Sequence, residues 1–328
     1  MTKGERVTAA LSGAAVDRIP LAFWAHNFAT ENSAKTLAEE TLRLARLFDW
    51  DFLKPQSRAQ CFAEAWGLEY RASGERATPY TVTRAPLGGA DDLATLRPVD
   101  PRAGALGEQL EALRLIRAGV GPDTPIIWTV FSPMMVMPFL LDGGRDRALS
   151  IARSAPAALE RALDAIAATL AGYAAASLEA GANGIFYATN LATEALLTAE
   201  ECRLFQRPFD LRVLGAVRTA PFNLLHVCGE RVRFDEFTDY PVTAFSWAAT
   251  LPGNPSLADG QRRTGRAVVG GLPAKPFTKT ITEAAMAGRA RAAVHEMKGR
   301  WLLIGPDCSI DPDTRDAVLH AARAALTG

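Results

Sequence analysis

GIFYAT at residues 184–189 and FNLLHVCG at residues 222–229 open the most regular part of the sequence. Both are short apolar segments containing aromatic and β-branched residues, which predicts buried strands. Three more segments of this kind follow: VTAFSWAAT (242–250), RAVVGGL (266–272) and WLLIGPDC (301–308). Helices are predicted near residues 198–218, 256–264, 281–298 and 313–326, and the helix after HVCG is predicted to be short or absent. This alternation predicts an α/β protein with a parallel sheet.

The first half of the chain adds three strand candidates: RIPLAFWAH (18–26), a short run at Phe52–Leu53 and PIIWTVFSP (125–133). A helix after the first of them is predicted to begin at the N-cap Ser33, with Leu37, Leu44 and Leu47 on one face. The longest predicted helix, APAALERALDAIAATLAGYAAASLEAG, ends at a glycine, as helices commonly do.

Eight strands, nearly all followed by a helix, predict a (β/α)8 TIM barrel with right-handed crossovers. A doubly wound open sheet is the alternative, but RIPLAFWAHNF has no glycine-rich fingerprint. The length of 328 residues suits either one barrel or two ordinary domains. We expect residues 1–328 to form a single barrel domain with a loop or hairpin excursion at about residues 68–104.

Composition excludes several classes of protein. The 36 basic and 36 acidic side chains give a formal net charge of zero, which argues against nucleic-acid binding. No segment approaches the roughly 18 continuous apolar residues of a membrane span, and the N-terminus has no apolar signal region. The four cysteines are too dispersed for a disulfide scaffold, so we expect free thiols or metal ligands in a reducing compartment. These features predict a cytoplasmic protein.

The carboxyl ends of the strands carry the candidate site, because TIM barrels place their chemistry there. His226 and Cys228 are two positions apart, so their side chains project to the same side of a strand. Cys308 ends the last strand, and strand ends converge at the barrel mouth. One imidazole and two thiolates form a ligand set suited to catalytic Zn²⁺, with a fourth position open. The alternative is a buried core histidine beside two inert thiols.

Further candidates come from the same rule. Asp307 and Glu230 flank the predicted ligands, either as hydrogen-bond acceptors or a fourth ligand, or as loop carboxylates bonded to backbone amides. Strand-end residues that could contact substrate are His26, Tyr187, Asn190 and Trp247; Arg58 is a separate candidate that does not come from this rule. For His26, a structural role is an equal alternative.

The sequence resembles the uroporphyrinogen decarboxylase superfamily, which includes zinc-dependent corrinoid and thiol methyltransferases. The similarity rests on RIP near the start, RLARLFDWDFLK, EAGANGIFY, LLHVCGE and GPDCSIDPDT. HVCG with a late GP(x)C is typical of the methyltransferase branch, and the resemblance implies that His226, Cys228 and Cys308 bind zinc. It also implies a methyl-cobalamin donor, supplied by a partner corrinoid protein, and a thiol substrate. A homodimer is expected on the same basis.

The true decarboxylases differ from this sequence at two motifs. Their Arg-Gln-Ala-Gly-Arg-Tyr run is replaced by AFWAHNFATENS, which has no arginine, and an ungapped alignment places Arg58 at their essential aspartate. A guanidinium there would oppose the positive charge that the decarboxylation develops. The sequence therefore predicts a zinc-dependent methyltransferase. The alternatives are a metal-free lyase that uses Arg58 and His26 on a smaller carboxylate, and a binding protein without turnover.

Overall fold

The structure, a computed structural model, describes residues 1–326. Six parallel strands are hydrogen-bonded side by side in the order of the chain. Two short antiparallel strands, β1 (Glu69–Arg71) and β2 (Thr81–Arg84), form a separate hairpin. The six parallel strands are β3 (Ile127–Phe131), β4 (Gly184–Thr189), β5 (Leu224–Val227), β6 (Ala244–Trp247), β7 (Ala267–Leu272) and β8 (Leu302–Pro306).

Helices follow nearly every parallel strand, and others precede the sheet. The helices of the described residues are given next in chain order. They are α1 (Lys3–Leu11), α2 (Ala34–Phe48), α3 (Cys61–Glu64), α4 (Ala90–Leu93), α5 (Gly104–Val120), α6 (Pro133–Leu140), α7 (Gly144–Ser154), α8 (Pro156–Glu179), α9 (Ala199–Phe205), α10 (Arg207–Gly215), α11 (Leu257–Thr264), α12 (Phe277–Thr280), α13 (Glu283–Glu296) and α14 (Asp316–Ala324). In the segment between β5 and β6 the structure has a 3-10 turn at Phe234–Phe237, which agrees with the predicted short helix. No helix among residues 1–326 is both long and apolar enough to cross a membrane.

Two extended segments close the six strands into a barrel. Leu21 bridges Ile304 of β8, and Leu53 bridges Ile126 beside β3. The two segments also touch each other, since the Asp51 amide donates to the Leu21 carbonyl at 3.0 Å. The predicted TIM barrel is therefore confirmed. Its first two strands pair only through isolated bridges, at Leu21, Ala25 and Leu53, rather than as the regular strands predicted at residues 18–26 and 52–53.

Two helix predictions need correction. The segment 198–218 forms two helices, α9 and α10, because Pro208 at the start of α10 has no amide hydrogen to continue the α9 ladder. Leu47 of α2 is 41% exposed. Phe48 instead extends the buried face of α2, since it lies eleven residues after Leu37 and three helical turns bring both to the same side. Ser33 caps α2 as predicted.

A buried carboxylate anchors the amino-terminal end of the barrel. Asp51 has no exposed surface, and its oxygens accept hydrogen bonds from the Leu21 amide at 2.9 Å and from three arginines. Arg6 of α1, Arg18 and Arg323 of α14 lie 2.8, 2.5 and 2.9 Å away. This cluster joins both terminal helices to the barrel at the end opposite to the strand ends that carry the candidate site.

The barrel interior beneath the candidate site is filled by aromatic side chains. Trp24 is buried and packs edge-to-face on Phe186 of β4, with ring centroids 5.5 Å apart. Gly305 of β8 makes room for the indole, because a Cβ at this position would lie 3.1 Å from Trp24. The interior is therefore a packed core rather than a channel.

Candidate metal centre

The three predicted ligands meet at the carboxyl ends of the strands. His226 lies on β5, Cys228 directly follows that strand, and Cys308 follows β8. The Cys228 amide donates to the Thr189 carbonyl at 2.8 Å, so the strand pairing extends to the cysteine and fixes its direction. One ring nitrogen of His226 and the two sulfurs all lie within 4.8 Å of one another. Such a group of atoms could hold one metal ion.

His226 is oriented by its neighbours on the barrel interior. Its Nδ1 atom lies 3.2 Å from the Ser246 hydroxyl of β6, and its ring stacks on Phe186 with centroids 5.2 Å apart. If Nδ1 carries the hydrogen that this contact uses, Nε2 is left with a free lone pair. Nε2 is buried and has no hydrogen-bond partner among residues 1–326. Because a buried polar atom without a partner is costly, the free nitrogen fits a ligand at this point.

The two sulfurs lie within hydrogen-bond distance of each other. The Cys228 thiol donates to the Cys308 sulfur at 3.6 Å, which lowers the pKa of Cys308 well below its usual range, and nearby His226 acts in the same direction. The same hydrogen bond, together with burial, raises the pKa of Cys228 well above its usual range. The pair therefore holds one thiolate readily. A thiolate is the form that binds metal ions, so the N, S, S donor set fits zinc.

Asp307 and Glu230, the two carboxylates that flank the cluster in sequence, differ in burial. Asp307 is buried, and one of its carboxylate oxygens accepts hydrogen bonds from the Thr250 amide at 2.9 Å and the Thr250 hydroxyl at 2.5 Å. Burial raises the pKa of Asp307 to about 6. Glu230 is exposed. Asp307 therefore joins the loop after β6 to the loop after β8, as a carboxylate bonded to a backbone amide.

His26 and Arg58 both lie near the mouth, but each is already engaged. Arg58 is buried and ion-paired with Glu64 at 3.2 Å and Glu108 at 2.6 Å. Its charge is neutralised by protein carboxylates. His26 contacts Glu31 through Nδ1 at 2.9 Å and Gln56 through Nε2 at 2.8 Å.

Tyr187, Trp247 and Asn190 lie apart from the cluster. The register pairs Ala188 with His226 and His226 with Ser246, so these residues share the interior face of the sheet. Tyr187 and Trp247 are each one position away from these interior residues along their strands, so their side chains face the helices. The Tyr187 hydroxyl donates to Asp210 of α10 at 2.6 Å, and the Trp247 indole donates to the Pro255 carbonyl at 2.8 Å. Asn190 is exposed in the loop after β4.

Lys54 and Ser246 lie near the cluster, and neither is among the residues predicted to bind metal or substrate. Lys54 is buried, with its ammonium 4.6 Å from the centre of the Phe186 ring. The sequence carries one signal for it, a charged residue directly after the apolar pair Phe52–Leu53. Ser246 is preceded by Phe245 and followed by Trp247 in an entirely buried strand, so its direction is not readable from the sequence.

The fold and the cluster together define a TIM-barrel protein with a candidate His/Cys/Cys metal centre at its mouth. The chain belongs to the uroporphyrinogen decarboxylase (URO-D) family, whose family model matches residues 2–326. The predicted family membership is therefore confirmed.

The chain is also similar to individual proteins and solved structures. A methylcobamide:CoM methyltransferase of Methanosarcina barkeri (strain Fusaro / DSM 804) is 26% identical over 330 residues, which cover 94% of this chain and 93% of that protein. A solved methyltransferase structure from Methanosarcina mazei has a TM-score of 0.85 and 23% identity, covering 99% of this chain and 98% of its own. A B12-independent methionine synthase from Shewanella sp. W3-18-1 has a TM-score of 0.57 and 14% identity, covering 89% and 86%. The two structures show the shared barrel fold.

Proposed function

We propose that this protein is a zinc-dependent methyltransferase that moves a methyl group between a methyl-corrinoid and a small thiol. The observation that carries the proposal is the cluster of His226, Cys228 and Cys308, whose ligand atoms lie within 4.8 Å of one another. The methylcobamide:CoM methyltransferase of M. barkeri supports it, because its similarity extends over nearly the whole chain.

The chain's own residues would hold and orient the reacting thiol. These three side chains would hold zinc, and the metal would lower the pKa of a thiol bound to it so that the thiol is a thiolate at neutral pH. The Ser246 hydroxyl, 3.2 Å from Nδ1, would hold the ring of His226 and leave Nε2 free to bind the metal. The aromatic core formed by Trp24 and Phe186 lies beneath the cluster and keeps water from reaching it from below.

The transfer balances as a nucleophilic substitution. The sulfur lone pair forms the new S–C bond, and the Co–C bond of the methyl-corrinoid breaks with its electron pair left on cobalt, which is reduced from Co(III) to Co(I). The thiol proton goes to solvent. The reverse direction uses the same groups, and folate-dependent methyl transfer would need the same activated thiol.

A metal-free lyase has less support from the structure. That reaction relies on a cation free to bind a carboxylate substrate, whereas the Arg58 guanidinium is already paired with Glu64 and Glu108. It also gives no role to the free Nε2 of His226. A binding protein without turnover would keep the barrel and differ only in lacking methyl transfer.

The partners follow from the proposed reaction. We expect the corrinoid to arrive on a partner protein, as the resemblance to the corrinoid methyltransferases implies. A homodimer is expected from the family resemblance alone. A cytoplasmic location is consistent with the four cysteines, all of which are free.

The test measures zinc and methyl transfer on the same preparations. We expect about one zinc per chain in the wild type by elemental analysis and methylation of a thiol by methylcobalamin, followed by the change in cobalamin absorbance. Cys308→Ser should lose both, while Cys202→Ala, a buried cysteine on α9, should keep both. A wild type that binds no zinc after reconstitution under reducing conditions would exclude the proposed function.

A further inference from the structure

Two buried hydrogen bonds tie the outer face of β4 to the helix layer. The Tyr187 hydroxyl donates to Asp210 of α10 at 2.6 Å, and the side-chain amide of Gln206 donates to the Thr189 hydroxyl at 2.8 Å. Thr189, Gln206 and Asp210 have no exposed surface. Parallel strands that are buried on both faces are normally lined with apolar side chains, so polar pairs on this face are unexpected.

The arrangement is costly for the fold. Oε1 of Gln206 is buried and has no hydrogen-bond partner among residues 1–326. Asp210 accepts hydrogen bonds from Tyr187 and, at 3.1 Å, from Tyr240, and burial raises its pKa to about 7. The buried carboxylate of Asp51, by contrast, is paired with three arginines. Buried polar groups that are only partly satisfied destabilise a fold, so stability alone does not account for these contacts.

Gln206 occupies the junction between α9 and α10. The first of these helices ends at Phe205 and the second begins at Arg207, so Gln206 closes one helix and opens the other. Its backbone amide donates to the Cys202 carbonyl at 3.1 Å, and its carbonyl accepts from the Asp210 amide at 2.9 Å. The backbone of Gln206 is therefore held on both sides, and its side chain reaches the end of β4 from a fixed position.

Thr189 connects this junction to the candidate metal centre. It is the last residue of β4, and its carbonyl accepts the hydrogen bond from the Cys228 amide at 2.8 Å. The chain turns directly after the cysteine, because Gly229 has a φ of 129°, outside the extended region. The bond to Thr189 therefore lies at the end of the ladder between β4 and β5. A displacement of Thr189 would move Cys228, whose sulfur lies 3.6 Å from that of Cys308.

We propose that Gln206 and Thr189 are positioning residues for Cys228. The Gln206 amide holds the Thr189 side chain, and the Thr189 carbonyl holds the backbone of the cysteine at the barrel mouth. The consequence for metal binding rests on the proposed function, whereas the effect on the Cys228 backbone stands on the hydrogen bonds alone.

A double variant separates position from stability. Thr189→Val with Gln206→Met replaces both partners by apolar side chains of similar shape, a change that is nearly neutral for stability. We expect the double variant to unfold at the same urea concentration as the wild type. In the metal-free full chain, hydrogen exchange at the Cys228 amide, measured by mass spectrometry with fragmentation, should be at least about tenfold faster. The Ser132 amide, which donates to the Ala188 carbonyl of the same strand, should exchange as before.

Zinc affinity is the second readout. Competition with a chelator should show about tenfold weaker binding in the double variant, the lower end of the effect of contacts behind a metal ligand. Thr189→Ser keeps the hydroxyl and should bind zinc as the wild type does. Tyr240→Phe is the matched control, because it removes a buried hydrogen bond to α10 that does not involve β4. We expect it to lower stability and to leave both readouts at Cys228 unchanged.

The outcomes distinguish this inference from the proposed function. Unchanged exchange at Cys228 in the double variant, or equal acceleration in Tyr240→Phe, would overturn the proposal. Equal zinc affinity of the double variant and a zinc-binding wild type would overturn it as well. If the double variant does not fold, Gln206→Met alone removes the same hydrogen bond and is judged by the same criteria. A wild type that binds no zinc, with faster Cys228 exchange in the double variant, would reject the methyltransferase proposal and leave the positioning role standing.

Discussion

The Sγ atoms of Cys228 and Cys308 lie 3.6 Å apart across a sequence separation of 80 residues. Closure of the barrel produces this proximity, because β5 and β8 end at the same mouth. Neither cysteine is fully buried, whereas Cys61 and Cys202 are. The chain therefore carries two inert thiols inside the fold and two at the site, and this division governs its response to oxidants.

Oxidation of the metal-free protein should join the two site cysteines. We expect a mild oxidant such as diamide to remove two of the four free thiols by forming a Cys228–Cys308 disulfide, since the sulfurs need move only a short way to the bonding distance of about 2.05 Å. Burial raises the pKa of both Cys61 and Cys202 to about 12, which keeps them unreactive. Thiol titration and peptide mapping measure the outcome. Zinc should protect both thiols, and cross-linking at Cys61 would contradict the prediction.

Ser246→Ala should weaken zinc binding without removing a ligand. The Ser246 hydroxyl contacts Nδ1 of His226 at 3.2 Å and so orients the ring. Loss of such a contact typically lowers metal affinity by about 10–100-fold. Competition with a zinc chelator measures the change. Ser246→Thr keeps the hydroxyl and is the control, so equal affinity in both variants would show that the hydroxyl does not orient the ring.

Lys54→Met should stabilise the fold, most strongly below pH 7. The folded pKa of about 7 lies below the usual lysine value of about 10.4, so the folded state disfavours the charge. This cost is present in full below pH 7 and disappears as the pH rises toward 10.4, because the unfolded chain then also loses the proton. Urea unfolding at pH 6 and pH 9 should show a gain of about 1–3 kcal/mol that shrinks at the higher pH. A destabilised variant at pH 6 would mean that Lys54 is already compensated within the protein.

Asp51→Asn should be strongly destabilising. Removing the charge leaves Arg6, Arg18 and Arg323 around a neutral amide at the amino-terminal end of the barrel. Breaking a buried charge cluster of this kind costs about 3–5 kcal/mol. Asp49→Asn is the control, because Asp49 is 65% exposed and its pairs with Lys3 and Arg323 should contribute less than about 1 kcal/mol. Similar losses in the two variants, measured by denaturant unfolding, would show that burial does not set the strength of the Asp51 cluster.

Much of the fold could be predicted from the sequence because its strands are short, apolar and separated by helices with clear caps. The proximity of His226 and Cys228 could be predicted as well, since spacing within one strand fixes the common direction of their side chains. Which side chains of the neighbouring strands face the barrel interior could not be predicted. Tyr187 and Trp247 sit in strands buried on both faces, where no alternation of polar and apolar residues shows which side chains face the interior.

Residues that follow the second barrel segment could not be placed from the sequence. Phe52–Leu53 is too short to give a pattern, and the segment pairs through single bridges rather than a ladder. Lys54 follows it directly, and only the closed barrel shows that its ammonium reaches Phe186. Likewise, the ion pairs that neutralise Arg58 involve Glu108, which is 50 residues away.

The contact of Trp24 with Gly305 has a kinetic consequence for the proposed reaction. Because the indole fills the interior beneath the candidate metal centre, the reactants of the proposed reaction would enter and leave through the mouth of the barrel. A corrinoid carried by a protein would cover that opening when it docks. The thiol would then bind first and the methyl donor second, and the product would depart only after the larger partner has undocked. Initial-rate measurements should accordingly give an ordered sequential pattern, with excess corrinoid carrier slowing turnover by trapping the product.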